Sequence, residues 1–167
     1  MPRRSWREQT RYPKGRMFDA KARLDEQKFA SIDEMIHAYA EEAVSIARRH
    51  HRVLLDFTPA SVAPLERLLD GQAAADLDFQ ARLWGSYFGE VLRRRWQGAW
   101  LLAPYPGNRE IADRVDALLP TLEVAGSRLW PTMKVYRRLT LGASENISAF
   151  YDLVEQRLGS PVPPVVN

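Results

Sequence analysis

The stretch Phe79–Trp100, FQARLWGSYFGEVLRRRWQGAW, decides how this chain folds. Apolar and aromatic side chains crowd it at helical spacing, so a helix is expected from about Ala74 to Arg95. Two glycines stand inside it, Gly85 and Gly89. Each costs a helix about 1 kcal/mol relative to alanine, so something must offset them. Ala81, Gly85 and Gly89 recur every fourth residue and make one ridge of small side chains. Such a ridge lets another backbone come close. The expected partner is the preceding long helix, whose Ala40, Ala43 and Ala47 are also small; a strand crossing the groove is the other candidate. In a membrane this pattern drives helix pairing, but Arg82, Glu90 and Arg93–Arg95 argue against lipid.

Outward from that helix, the preceding one starts clearly. Ser31 is a good N-cap and Glu34 completes a capping box. Ile32, Met35, Ile36, Tyr39, Ala43, Ile46 and Ala47 keep helical spacing to about Arg49. Arg48, Arg49 and His50 lie near its negative end. VLLDF, Val53–Phe57, has the composition of a short interior strand. Ser61 is the expected cap of a short helix bearing Leu65, Leu68 and Leu69, with Gly71 just past its end.

Beyond Trp96 the signal changes to a strand at Trp100–Ala103 and a loop. Asn108 is the expected cap of a short helix carrying Ile111, Val115 and Leu118 and closed by Pro120. TLEVAGSRLWP has two short strands around Ala125-Gly126-Ser127, a hairpin. Pro131 suits the first turn of a helix that Gly142 ends. Ser144 is the expected cap of the last helix, whose stripe is Ile147, Phe150, Tyr151, Val154 and Leu158 and whose stop is Gly159. The expected fold is α+β, a small antiparallel sheet of three to four strands covered by helices, mainly on one face.

The 167 residues suit one domain, 19–159, with a flexible basic arm at 1–18 and a proline-rich disordered tail at 160–167. The net charge of +3 hides a division. Residues 1–16 hold six basic residues and one acidic, so they carry +5 and the remainder −2. A nearly neutral body weighs against a protein-wide nucleic-acid surface. No run approaches the roughly 18 apolar residues of a membrane span. The basic start has no apolar stretch after it, which speaks against a secretory signal and for a cytoplasmic location. With no cysteine, disulfides, thiolate catalysis and cysteine-type zinc sites are excluded.

Catalytic constellations are sparse. Glu90 has Arg93 and Arg94 at ion-pairing distance along the helix; as a catalytic acid it lacks a second carboxylate placed by sequence. Asp56 follows VLLDF, where loops carry active residues, but its carboxylate also suits capping of the next turn. A small enzyme using Glu90, Asp56 and a basic residue is therefore the alternative. His37 and Glu41 stand one turn apart without a third ligand, so neither a metal nor another cofactor is expected. WGSYFG lacks the spacing of a nucleophile elbow, and Ser86 falls inside a helix. Basic groups meet aromatics in three places: the arm with Trp6 and Tyr12, Arg93–Arg95 with Trp96, and Arg128, Lys134, Arg137 and Arg138 with Trp130 and Tyr136. Nucleic-acid binding through the arm is a further alternative. Tryptophan and arginine equally anchor protein interfaces, which makes Trp96, Tyr105, Arg109 and Trp130 the candidate contacts.

The order LDFTPASVAPLERLL, GSYFGEVLRRRWQGAW and LEVAGSRLWPTMKVYRRLTLGASENISAFY resembles small bacterial α+β domains of unknown function, with a Gly-aromatic-Gly-Glu helix, a tryptophan strand and a Trp-Pro helix pair. It covers about Leu54–Tyr151 and carries no catalytic residues with it. The resemblance implies a bacterial cytoplasmic protein, and similar small α+β proteins neutralise toxins as immunity proteins. The expectation is a non-enzymatic protein-binding domain whose partner is another protein, such as a toxin.

Overall fold

The computed structural model describes residues 14–72, 75–106 and 118–161, with the backbone alone for 14–18. Helix α1, Lys14–Glu26, precedes α2, Ile32–Ile46. Then come α3, Val62–Asp70, and α4, Leu77–Trp96. Strands β1, Ala99–Pro104, β2, Leu118–Val124, and β3, Ser127–Leu129, form one antiparallel sheet in that order. Helices α5, Pro131–Leu141, and α6, Ile147–Leu158, complete the fold. This is the small α+β architecture the sequence implied, with a three-stranded sheet. No helix among the described residues is long and apolar enough to cross a membrane.

Helix α4 is the hub, packing against both α2 and α5. Every residue from Leu83 to Leu92 is buried, which explains why the stretch lacks a clean polar face. Trp84, Tyr87, Phe88 and Leu92 fill the core with Ile36, Tyr39, Leu65, Leu122 and Ile147. The Ser31 hydroxyl accepts from the Glu34 amide at 3.1 Å and starts α2. The Glu34 carboxylate turns back one residue further than the simple box, accepting from Ala30 N–H at 2.8 Å. At the hairpin, Ala125 (φ 48°) and Gly126 (φ 78°) take the left-handed geometry of a two-residue turn.

The glycine ridge is filled from within the molecule, but not by α2. A Cβ on Gly85 would lie 2.5 Å from the Thr132 Cα. One on Gly89 would collide with the Trp100 ring and meet Pro131 Cβ at 3.2 Å. The first turn of α5 and the tryptophan of β1 therefore occupy the notch. The small residues Ala40, Ala43 and Ala47 are buried as well, while α2 meets α4 without filling the notch at its two glycines.

Four further expectations need correction. Val53–Phe57 is not a strand; it is irregular chain between a wide π-helical turn, Ala47–His51, and a short 3-10 turn, Pro59–Ser61. Its apolar residues face different ways, Leu55 buried and Leu54 72% exposed. Leu118 and Pro120 belong to β2 rather than to a helix, while the Asn108–Val115 part of that expectation lies outside the described residues. Asn146, not Ser144, caps α6, its side-chain oxygen accepting from Ala149 N–H at 3.0 Å. Ser61 precedes α3 but does not cap it. Helix α1 was not anticipated, because its apolar positions are few.

Candidate functional site

Glu90 follows Gly89 in the wholly buried stretch of α4 and is 4% exposed. Its carboxylate is fully engaged. Arg93 grips it with two bonds, Nε to Oε1 at 2.7 Å and Nη2 to Oε2 at 2.9 Å. Arg94 Nε reaches Oε2 at 3.4 Å, and the Trp100 indole N–H donates to Oε1 at 2.8 Å. Burial pushes the carboxyl up, but the Arg93 and Trp100 hydrogen bonds and the two positive charges outweigh it and hold it below the ordinary glutamate range. A carboxylate so stabilised is a poor proton carrier near neutrality. Its evident work is to fix the Trp100 ring in the Gly89 notch.

Asp56 is exposed and accepts from both the Thr58 amide, at 3.1 Å, and the Thr58 hydroxyl, at 2.6 Å. The hydroxyl bond is the main cause of its lowered pKa. This is the turn-capping role its position suggested. Arg94 is bonded to Glu90 and stacked on Phe57, its guanidinium carbon 3.8 Å from the ring centroid. Glu90 has no open face, whereas Asp56 is exposed and takes both Thr58 bonds on Oδ1; a shallow cleft on α1, lined by Asp19, Ala22, Arg23, Glu26 and Gln27, contains neither acid.

The candidate binding residues divide. Trp96 is pinned, its indole N–H donating to Gly159 O at 2.9 Å and its ring 5.4 Å from Tyr151. These contacts tie it to the end of α6, and the residue is half-buried. Tyr105 and Trp130 are brought together, ring centroids 5.6 Å apart and nearly perpendicular. Both are half-buried. Leu102, 49% exposed, lies on β1 just before Tyr105, and Leu118, 59% exposed, sits opposite Pro104 at the start of β2. Arg109 lies outside the described residues.

Sequence alone did not reveal how the basic groups are spent. Arg138, 4% exposed, donates to Glu66 and Asp70, each at 2.6 Å. The second Glu66 oxygen accepts from Ile147 N–H at 2.8 Å, so one buried carboxylate ties α3 to α5 and to the start of α6. Lys134 and Arg137 both hold Glu145, at 2.6 and 2.7 Å, and their bonds drop its pKa to about 2. Arg95 reaches Glu155 at 3.2 Å and Arg128 reaches Glu123 at 3.7 Å. The two basic clusters around Trp96 and Trp130 are thus matched by acids, which leaves those two clusters poorly suited to a nucleic-acid groove. Residues 1–13 of the arm, Trp6 and Tyr12 among them, lie outside the described residues, while 14–18 begin α1.

Ser86 is buried inside α4, as its position implied. His37 and Glu41 are both exposed, and no group of three or more His, Cys, Asp or Glu that could hold a metal occurs among the described residues. No family model, no curated protein and no solved structure matches this chain.

Proposed function

We propose that this chain is a non-enzymatic domain that binds another protein, with the Tyr105–Trp130 end of the sheet as its contact surface. The observation that carries it is the edge-to-face aromatic pair beside two exposed leucines, Leu102 and Leu118. Aromatic anchors ringed by aliphatic side chains are the composition of interface centres. The structural engagement of Glu90 supports the same reading, since both of its carboxylate oxygens already have partners, while Asp56 uses Oδ1 to cap the turn at Thr58. Toxin neutralisation in a bacterial cytoplasm is the form of binding that the resemblance implies, and it belongs to this proposal. The test is affinity capture from the source cells with the native chain and with Tyr105→Ser and Leu102→Ser variants that keep the native melting temperature. One partner held by the native chain and lost by both variants supports the proposal. Equal capture by all three overturns the assigned surface, and no partner from any growth condition overturns protein binding.

A further inference from the structure

The turn after α2 carries Arg48, Arg49, His50, His51 and Arg52 in succession. Its backbone is wound back on itself. The Ala47 carbonyl accepts from Arg52 N–H and also from Val53 N–H, the latter at 3.0 Å. Five basic side chains therefore leave one ring of backbone, and all three arginines are exposed. Among the described residues none of the three has an ion-pair partner. The acids nearest in the chain are engaged elsewhere, Glu42 by Arg23 and Asp56 by Thr58. Lys28, Arg67, Arg82 and Arg157 also form no ion pair, but none has another such cation beside it in the chain, so among the described residues this turn is the one run of sequence that carries several unmatched cations.

Directly beyond the cations stands Leu54, 72% exposed, more than any other large hydrophobic residue among those described. The segment that displays it begins and ends in left-handed backbone, Arg52 at φ 55° and Phe57 at φ 63°. For a bulky residue such as phenylalanine this conformation is costly. It is held in place: the Phe57 amide donates to the Tyr87 hydroxyl at 2.9 Å, and Arg94 covers the ring. A helix end that needed only to complement its dipole would require neither the count of cations nor an outward leucine.

We infer that Arg48, Arg49, Arg52 and Leu54 form a docking surface for an acidic protein segment that also carries an apolar side chain. The inference stands without the Tyr105–Trp130 surface. Charge complementarity selects an acidic partner, and Leu54 selects a protein over a nucleic acid, because a phosphate backbone offers a leucine nothing. Two of the rings there are already engaged: His51 lies nearly perpendicular to Trp84, with ring centroids 6.1 Å apart, and Phe57 is capped by Arg94. A single leucine is too little apolar surface to hold a lipid bilayer.

The full chain is titrated with four probes: a helical peptide of glutamate and leucine, its glutamate–serine counterpart, duplex DNA, and phosphatidylserine vesicles. The glutamate–leucine peptide binds best, and its affinity falls with salt. The triple variant Arg48→Glu, Arg49→Glu, Arg52→Glu binds it at least about tenfold more weakly, or ~1.4 kcal/mol. Leu54→Ser weakens the glutamate–leucine peptide and leaves the glutamate–serine peptide unchanged. Circular dichroism and melting verify that the variants fold; should the triple variant not fold, Leu54→Ser and the single reversal Arg49→Glu decide. Tighter binding of DNA or of vesicles, equal binding of the two peptides, or no binding of any probe overturns the inference.

Discussion

The Trp100 indole N–H lies 2.8 Å from Glu90 Oε1, and the far edge of the same ring occupies the space a Gly89 side chain would take. One tryptophan thus links the helix's missing side chain to its buried carboxylate. Strand β1, helix α4 and the first turn of α5 meet at this point, so the expense of two glycines is offset by close approach rather than by chemistry.

Gly89→Ala is expected to destabilise the protein by about 1–3 kcal/mol through overpacking. Alanine's better helix propensity alone would add ~1 kcal/mol of stability. The opposite signs make the experiment decisive, and a lower melting temperature is the predicted outcome. Gly85→Ala should behave alike, because the obstacle is the Thr132 backbone itself.

Glu90→Ala leaves the Trp100 N–H buried without an acceptor and two arginines without their partner. A loss of about 2–3 kcal/mol in denaturant unfolding is expected. Because the folded Glu90 pKa lies below its ordinary value, its contribution is present above the unfolded pKa and is lost as pH falls through the folded one. The native chain should therefore lose stability in acid more steeply than the alanine variant.

Glu145 gives a second acid-side prediction with a number attached. Its folded pKa is about 2 against an ordinary 4.5, so the clamp on Lys134 and Arg137 is complete above pH 4.5 and dissolves toward pH 2. Carboxyl chemical shifts followed by NMR should show Glu145 titrating last among the glutamates of helix surfaces. A midpoint near the ordinary value would remove the clamp from the account.

His51 works in the other sense. Burial is the main cause that lowers its pKa, helped by the neighbouring His50. The unfolded chain therefore binds a proton first, and stability falls as pH drops below the ordinary value of 6.5. His51→Gln should flatten the pH dependence of melting in that window. An unaltered profile would contradict the placement of this ring beside Trp84.

Much of the fold was legible because its signals are local. The helix around Gly85 and Gly89, the turn at Ala125-Gly126, Pro131 at the head of α5 and the stripe of α6 each depend on residues a few positions apart. What misled was equally local. VLLDF has strand composition, yet among the described residues no strand pairs with it, and pairing is a tertiary fact. Glu90 with Arg93 and Arg94 could be foreseen from helical spacing, whereas Trp100 as its third partner could not. Arg138 and Glu66 are 72 positions apart, and no spacing rule joins them. The glycine ridge announced a close approach without naming who approaches; Thr132 and Trp100 come from elements far along the chain. The Tyr105–Trp130 pair was visible only as two separate aromatics.

Hydrogen exchange at the Trp100 indole tests the central claim most directly. If the ring is locked between Gly89 and Glu90, its N–H exchanges with solvent only as slowly as the core amides of α4, through near-global unfolding. Exchange at the rate of an exposed indole under native conditions would mean that the notch is open, that Glu90 faces water, and that a ligand rather than tryptophan belongs there.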